Sequence, residues 1–228
     1  MSKRAFIAFW TTLVFCLLLP AATAAPIPGL FNTGVDDTGA LLPDGATDTH
    51  YGVVAAWIAG PRGVNDSWVS NASSLASRWI MPNPMPCCST SDTVYSISLT
   101  FDLTGYDSTS ASLSGRWATD NFGDVYLNGA LLTLGHSPSA GDPLTGFSQW
   151  SPFAASSGFV AGLNTLSFRV VNSGSTGFDT DNPTGLRVEF LSSSVSAVPE
   201  TSTYLMLFAG LAVLACVTRR KGTKTGLL

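Results

Sequence analysis

From Val94 to Leu103 every second residue is apolar. Tyr95, Ile97, Leu99, Phe101 and Leu103 fall on one side, and Ser96, Ser98, Thr100 and Asp102 on the other. Successive side chains of a strand point to opposite faces, so this spacing predicts a strand with one wet and one buried face. The period returns through Ala111, Leu113, Gly115 and Trp117, and again through Leu166, Phe168 and Val170, which alternate with Ser167, Arg169 and Val171. Val125-Tyr126-Leu127 runs into Asn128-Gly129, and Ala130 to Leu134 runs out of it. Both turn residues tolerate positive φ, which makes Asn-Gly between apolar runs a strong hairpin signal. Tyr51 to Ile58 reads as an early, more buried strand. Leu186, Val188 and Phe190 form a late one, on which the alternating Glu189 is expected to face solvent.

Strands that each carry one apolar face bury it by stacking two sheets. The expected fold is therefore all-β, an antiparallel sandwich over residues 25–191 with Phe101, Trp117 and Phe168 between its sheets. Pro61, Pro82, Pro84 and Pro86 make Gly60 to Cys88 a long loop over the sandwich, since proline cannot donate to a sheet ladder.

The ends of the chain are of another kind. Lys3 and Arg4 precede an apolar stretch from Ala5 to Leu19, then Pro20 and Ala22-Thr23-Ala24. That is the pattern of a secretory signal helix over 1–24, with Ala22 and Ala24 as the small residues of the cleavage site. At the other end, a small-residue linker over 192–201 leads to an apolar run from Tyr204 to Val217. Arg219, Arg220 and Lys221 follow as a basic stop. The run is expected to form a single transmembrane helix within 202–221, with the basic cluster held on the cytoplasmic side. Its fourteen residues rise only about 21 Å, against a hydrocarbon core of about 30 Å, so spanning would require local thinning or snorkelling.

Removal of both ends changes the charge balance. Between them lie five arginines, no lysine and all fifteen acids, a formal charge of −10. Such a domain repels phosphate backbones, which excludes nucleic acid as a partner. Cys87 and Cys88 are adjacent and cannot staple distant elements. A vicinal disulfide, an intermolecular bond and free thiols are all open to them.

Val198-Pro199-Glu200, a polar step, an apolar segment and Arg219-Arg220-Lys221 resemble the PEP-CTERM sorting signal of Gram-negative bacteria. The resemblance implies recognition by an exosortase-like membrane enzyme, processing near Pro199-Glu200, and delivery to the envelope or extracellular matrix. The family's usual second proline is Thr201 here. A broader resemblance covers roughly Thr93 to Phe190. Asp120-Asn121, Val125-Tyr126-Leu127-Asn128-Gly129 and Gly162-Leu163-Asn164-Thr165-Leu166 are similar to motifs of galactose-binding-like jelly-roll domains. That similarity implies a jelly-roll sandwich and, more remotely, sugar binding.

Catalysis needs a constellation that the sequence does not supply. No nucleophile elbow, His-Glu-x-x-His motif or phosphate-cradling loop appears, and the aspartates fall mainly in turns. His50 and His136 each lack a second histidine at ligand spacing. Asp120, Asn121 and Asp124 offer oxygen ligands before a hairpin, suited to Ca2+, and Asp179, Asp181 and Asn182 do so before the last strand. Trp68, Trp79 and Trp150 could stack on sugar rings, with Trp150 the candidate grouped with Asp120, Asn121 and Asp124. No cofactor other than Ca2+ is expected.

The sequence thus predicts an exported, membrane-tethered, non-catalytic envelope or matrix protein. It would be processed by an exosortase-like system and associated with exopolysaccharide or biofilm. A dedicated carbohydrate-binding module is the alternative, and a secreted hydrolase stands third.

Overall fold

The computed structural model describes residues 24–52, 54–57, 68–70, 75–82, 93–173, 182–198 and 201–222. Ala24–Ser196 form one compact unit, and the segment from Ala197 onward belongs to another.

Eleven strands build the first unit. The early ones are short: β1 (Ala24–Ala25), β2 (Thr47–Asp48), β3 (Val54–Trp57) and β4 (Trp79–Met81). The long ones are β5 (Thr93–Asp102), β6 (Tyr106–Asp120), β7 (Phe122–Leu127), β8 (Ala130–Ser137), β9 (Ser151–Ala155), β10 (Leu163–Asn172) and β11 (Gly185–Ala197). Their hydrogen-bonded order is β2-β3-β4-β11-β6-β9-β8-β7-β10-β5, with β1 on β11. All the pairings given register are antiparallel. The path folds over at β8, which joins β9 through the pair Leu134 and Ala154 and runs alongside β7 on its other edge.

The two layers bury what the period-two pattern assigned to the interior. Ile97, Leu99 and Phe101 of β5 are buried, as are Leu113 and Trp117 of β6 and Leu166, Phe168 and Val170 of β10. Phe168 lies at the centre. Its ring is 5.6 Å from that of Trp117 and 5.7 Å, edge to face, from that of Phe153. Aromatic pairs in such geometry add about 1 kcal/mol each beyond the area they bury. At the hairpin Asn128 (φ 50°) and Gly129 (φ 83°) both adopt positive φ, as a two-residue turn between β7 and β8 requires.

Four expectations change. The stretch read as loop contributes β4, and Trp79 on it is fully buried. Ser192–Ala197, read as a flexible spacer, is the far half of β11, with Val195 buried and paired to Ala25. Glu189 does not face solvent, because its face of β11 is covered by a second apolar cluster of Trp68, Trp79 and Ala118, with Phe147 and Trp150 against it. The tail forms helix α1, Thr201–Gly222. Among the described residues, however, no helix is long and apolar enough to cross a membrane, so the transmembrane helix expected within 202–221 is not found. The uninterrupted apolar run ends at Val217, and the final turns are taken by Thr218 and the basic cluster. Met206, Phe208 and Val213 on α1 are exposed. Ala22 and the rest of the signal segment before Ala24 lie outside the described residues. So do Pro199 and Glu200 of the sorting motif, Cys87 and Cys88, and Asp179 and Asp181.

Candidate functional site

The alternation of β7 places Gly123, Val125 and Leu127 inward and Phe122, Asp124 and Tyr126 outward. Gly123 lets β7 lie this close to β10, since a Cβ there would run into the Arg169 carbonyl. Strand register then sets the outward residues in rows. Asp124 stands between His136 of β8 and Arg169 of β10, and Arg169 stands beside Ser96 of β5. In the next row Tyr126 stands beside Ser167, and Ser167 beside Ser98. On the other side Phe122, Val171 and Val94 line up. With strands about 4.8 Å apart and alternate residues about 6.8 Å apart, the rows form a face of roughly 14 by 14 Å.

The middle row is a chain of polar contacts. His136 Nδ1 is 2.9 Å from Asp124 Oδ1, and Arg169 Nη1 is 3.8 Å from Asp124 Oδ2. These side chains are 57% (His136), 25% (Asp124) and 41% (Arg169) exposed, so the row is held in place yet open to a ligand. One row away, the Ser98 and Ser167 hydroxyls bond to each other at 2.9 Å. The face therefore offers a carboxylate acceptor, a guanidinium donor, an imidazole, two hydroxyls, and half-buried Phe122 and Tyr126 on either side. A planar carboxylate beside forked donors suits neighbouring hydroxyl groups, which both donate and accept.

No protein-family model matches the chain, and no curated protein matches it. Among solved structures, it is similar to a family 35 carbohydrate-binding module from an environmental isolate. The two are 14% identical over 63% of this chain and 93% of that one, with a TM-score of 0.30. A likeness of that size carries no argument.

The four residues grouped by the sequence part company. Only Asp124 faces the open row. Asp120, at the end of β6, is buried, and its carboxyl makes no hydrogen bond or ion pair among the described residues. Burial pushes its pKa up to about 8. Asn121 is a clamp: its Nδ2 donates to the Leu144 carbonyl at 3.0 Å and its Oδ1 accepts from the Ser173 amide at 2.6 Å. Trp150 lies under two guanidiniums, with Arg116 Cζ 4.5 Å and Arg187 Cζ 5.1 Å from its ring centroid. Trp68 and Trp79 are buried in the second cluster. No group of three or more His, Cys, Asp or Glu converges on a metal position among the described residues.

The most elaborate polar cluster is one the sequence did not suggest. Glu189 Oε2 accepts from Arg116 Nε at 2.7 Å. Glu189 Oε1 accepts from the Ser77 hydroxyl at 2.6 Å and from Arg187 Nη2 at 3.3 Å. Arg187 also donates from Nε to Ser77 Oγ at 2.8 Å and from Nη1 to the carbonyls of Val69 and Ser70. Burial lowers the Arg187 pKa, with Glu189 opposing the shift. Glu189, Arg187 and Ser77 are buried, so the centre of this network fastens the Trp68–Trp79 cluster to the sheet, while Arg116 stays 30% exposed at its edge. The signal for the open face, by contrast, was present in the alternation of Phe122 to Leu127 and in the outward placing of Arg169.

Proposed function

We propose that this is an exported, non-catalytic envelope or matrix protein that holds polysaccharide on the outer face of the β8-β7-β10-β5 layer. The observation that carries the reading is the row His136, Asp124 and Arg169 set between Phe122 and Tyr126. Sugars bind where hydroxyl-matching polar groups adjoin apolar side chains that take the ring's C–H face. The formal charge of −10 on the exported part favours a neutral polymer over an acidic one. The test is retention of the purified full chain on a panel of insoluble neutral and acidic polysaccharides. Retention by none of them ends the reading.

Placement rests on the ends of the chain. In this proposal the signal segment exports the domain, and α1, with its exposed apolar side chains and Arg219 near its end, contacts the membrane. An exosortase-like enzyme then cuts near Pro199-Glu200. Mass spectrometry of protein recovered from the cell envelope should find a new C-terminus in that region. An intact Leu228 terminus throughout would sink this part.

A further inference from the structure

A single residue pair carries the strand path where it folds over. Leu134 and Ala154 are the paired positions between β8 and β9, and β9 ends one residue later at Ala155, while β8 runs alongside β7 through Ala130 and Leu131. The pairing of β8 with β9 goes no further on the Ala130 side, where β9 has ended. Between them opens a cleft of about 600 Å3, within the range of small-ligand sites. Its floor includes Leu113, Leu127 and Ala155, all members of the main core. Its rim carries the hydroxyls of Ser112, Ser114, Ser156, Ser157 and Ser192, and Ser114 and Ser192 bond to each other at 2.8 Å. Leu131 and Leu134 line the mouth and stand 58% and 56% exposed. Among the described residues no charged or aromatic side chain lines it.

We infer that this cleft is a second binding site, separate from the sheet face, for an uncharged amphipath: an aliphatic chain with a hydroxylated head. The lining selects that chemistry. Leucine and alanine walls opening into the core take hydrocarbon out of water, and each methylene so removed strengthens binding about fourfold. The serine rim can exchange hydrogen bonds with hydroxyls but offers no counter-charge, so a carboxylate or phosphate head would be desolvated without compensation. The lack of any aromatic side chain leaves a bare sugar without a stacking surface, which makes the alkyl chain the anchor.

The test is calorimetric titration of the full chain with octyl and hexyl β-glucoside below their micelle concentrations, and with glucose. One octyl glucoside should bind per chain. The hexyl compound, two methylenes shorter, should bind roughly fifteenfold more weakly, and glucose should not bind measurably. Ala130→Trp, at an exposed position of the mouth, should weaken octyl glucoside at least tenfold with an unchanged unfolding midpoint. Leu131→Gln, also exposed, serves the same purpose if the tryptophan variant fails to fold. Three outcomes would overturn the site: no binding, affinity independent of chain length, or affinity untouched by either variant. The last would place the amphipath elsewhere on the molecule, the exposed apolar side chains of α1 included.

Discussion

Asn128 and Asn164 lie 36 residues apart and hydrogen-bond to each other, Nδ2 of the first donating to Oδ1 of the second at 2.9 Å. The contact joins the β7-β8 turn to the start of β10. Asn164 is fully buried and also accepts from the Val160 amide while donating to the carbonyls of Val160 and Gly162. Asn128 accepts in turn from the Thr165 amide. Two motif residues that suggested sugar binding thus serve each other and the backbone. Asn164→Ala leaves several part-buried backbone groups and the Asn128 amide without their partner and should cost about 2–3 kcal/mol in urea denaturation. It should leave the affinity of the folded protein for polysaccharide unchanged.

Glu189 is the counter-ion of both Arg116 and Arg187, and the side chains of Glu189 and Arg187 are wholly buried. Breaking a buried pair from one side leaves a charge with nothing to oppose it, at a cost of about 3–5 kcal/mol. Glu189→Gln should therefore lower stability by that order in chemical denaturation. Arg116 is 30% exposed and water can replace part of what it provides, so Arg116→Ala should cost distinctly less.

Asp120 gives the fold a pH dependence of defined sign. Its pKa is raised by burial to about 8, against about 3.9 for the unfolded chain, so between those values the native state holds the extra proton. Its contribution to stability is complete below about pH 4 and is lost as pH rises through about 8. The loss is up to about 1.4 kcal/mol per pH unit within that window. Asp120→Asn keeps the shape and removes the titration. The stability difference between wild type and variant should grow in favour of the variant from pH 5 to pH 8. A flat difference would show that the carboxyl titrates normally.

The strands were legible because one-sided burial writes a period of two into the sequence, and Ile97, Leu99, Phe101 and Phe168 all obey it. What local pattern cannot give is whether the opposite face is also covered. Glu189 does point away from Leu186 and Val188, as alternation requires. It is nonetheless buried, because Trp68, Ser77 and Trp150 come from elsewhere in the chain to cover that face. Composition misled at Ser192–Ala197, where small polar residues suggested a spacer but backbone pairing made a strand. At the candidate ligand site, nearness in sequence does not bring nearness of function. Asp120, Asn121 and Asp124 span five positions, yet they go to a buried pocket, a loop clamp and an open face.

The open face makes the last prediction. Asp124 lies between His136 and Arg169, and its carboxylate orients both while remaining a quarter exposed. If this row binds sugar hydroxyls, Asp124→Asn replaces a charged acceptor with a weaker one that also donates. Hydrogen bonds to charged groups are worth about 1.5–3 kcal/mol, so polysaccharide retention should fall roughly tenfold or more. Tyr126→Ala removes an adjoining apolar surface and should weaken retention by a similar factor. Both residues lie on the outward face of β7, so unfolding midpoints should move little. Glycan affinity unchanged in both variants, with the proteins folded, would place the sugar elsewhere on the molecule. Loss in Tyr126→Ala alone would mean that ring contact, and not the charged row, holds the polymer.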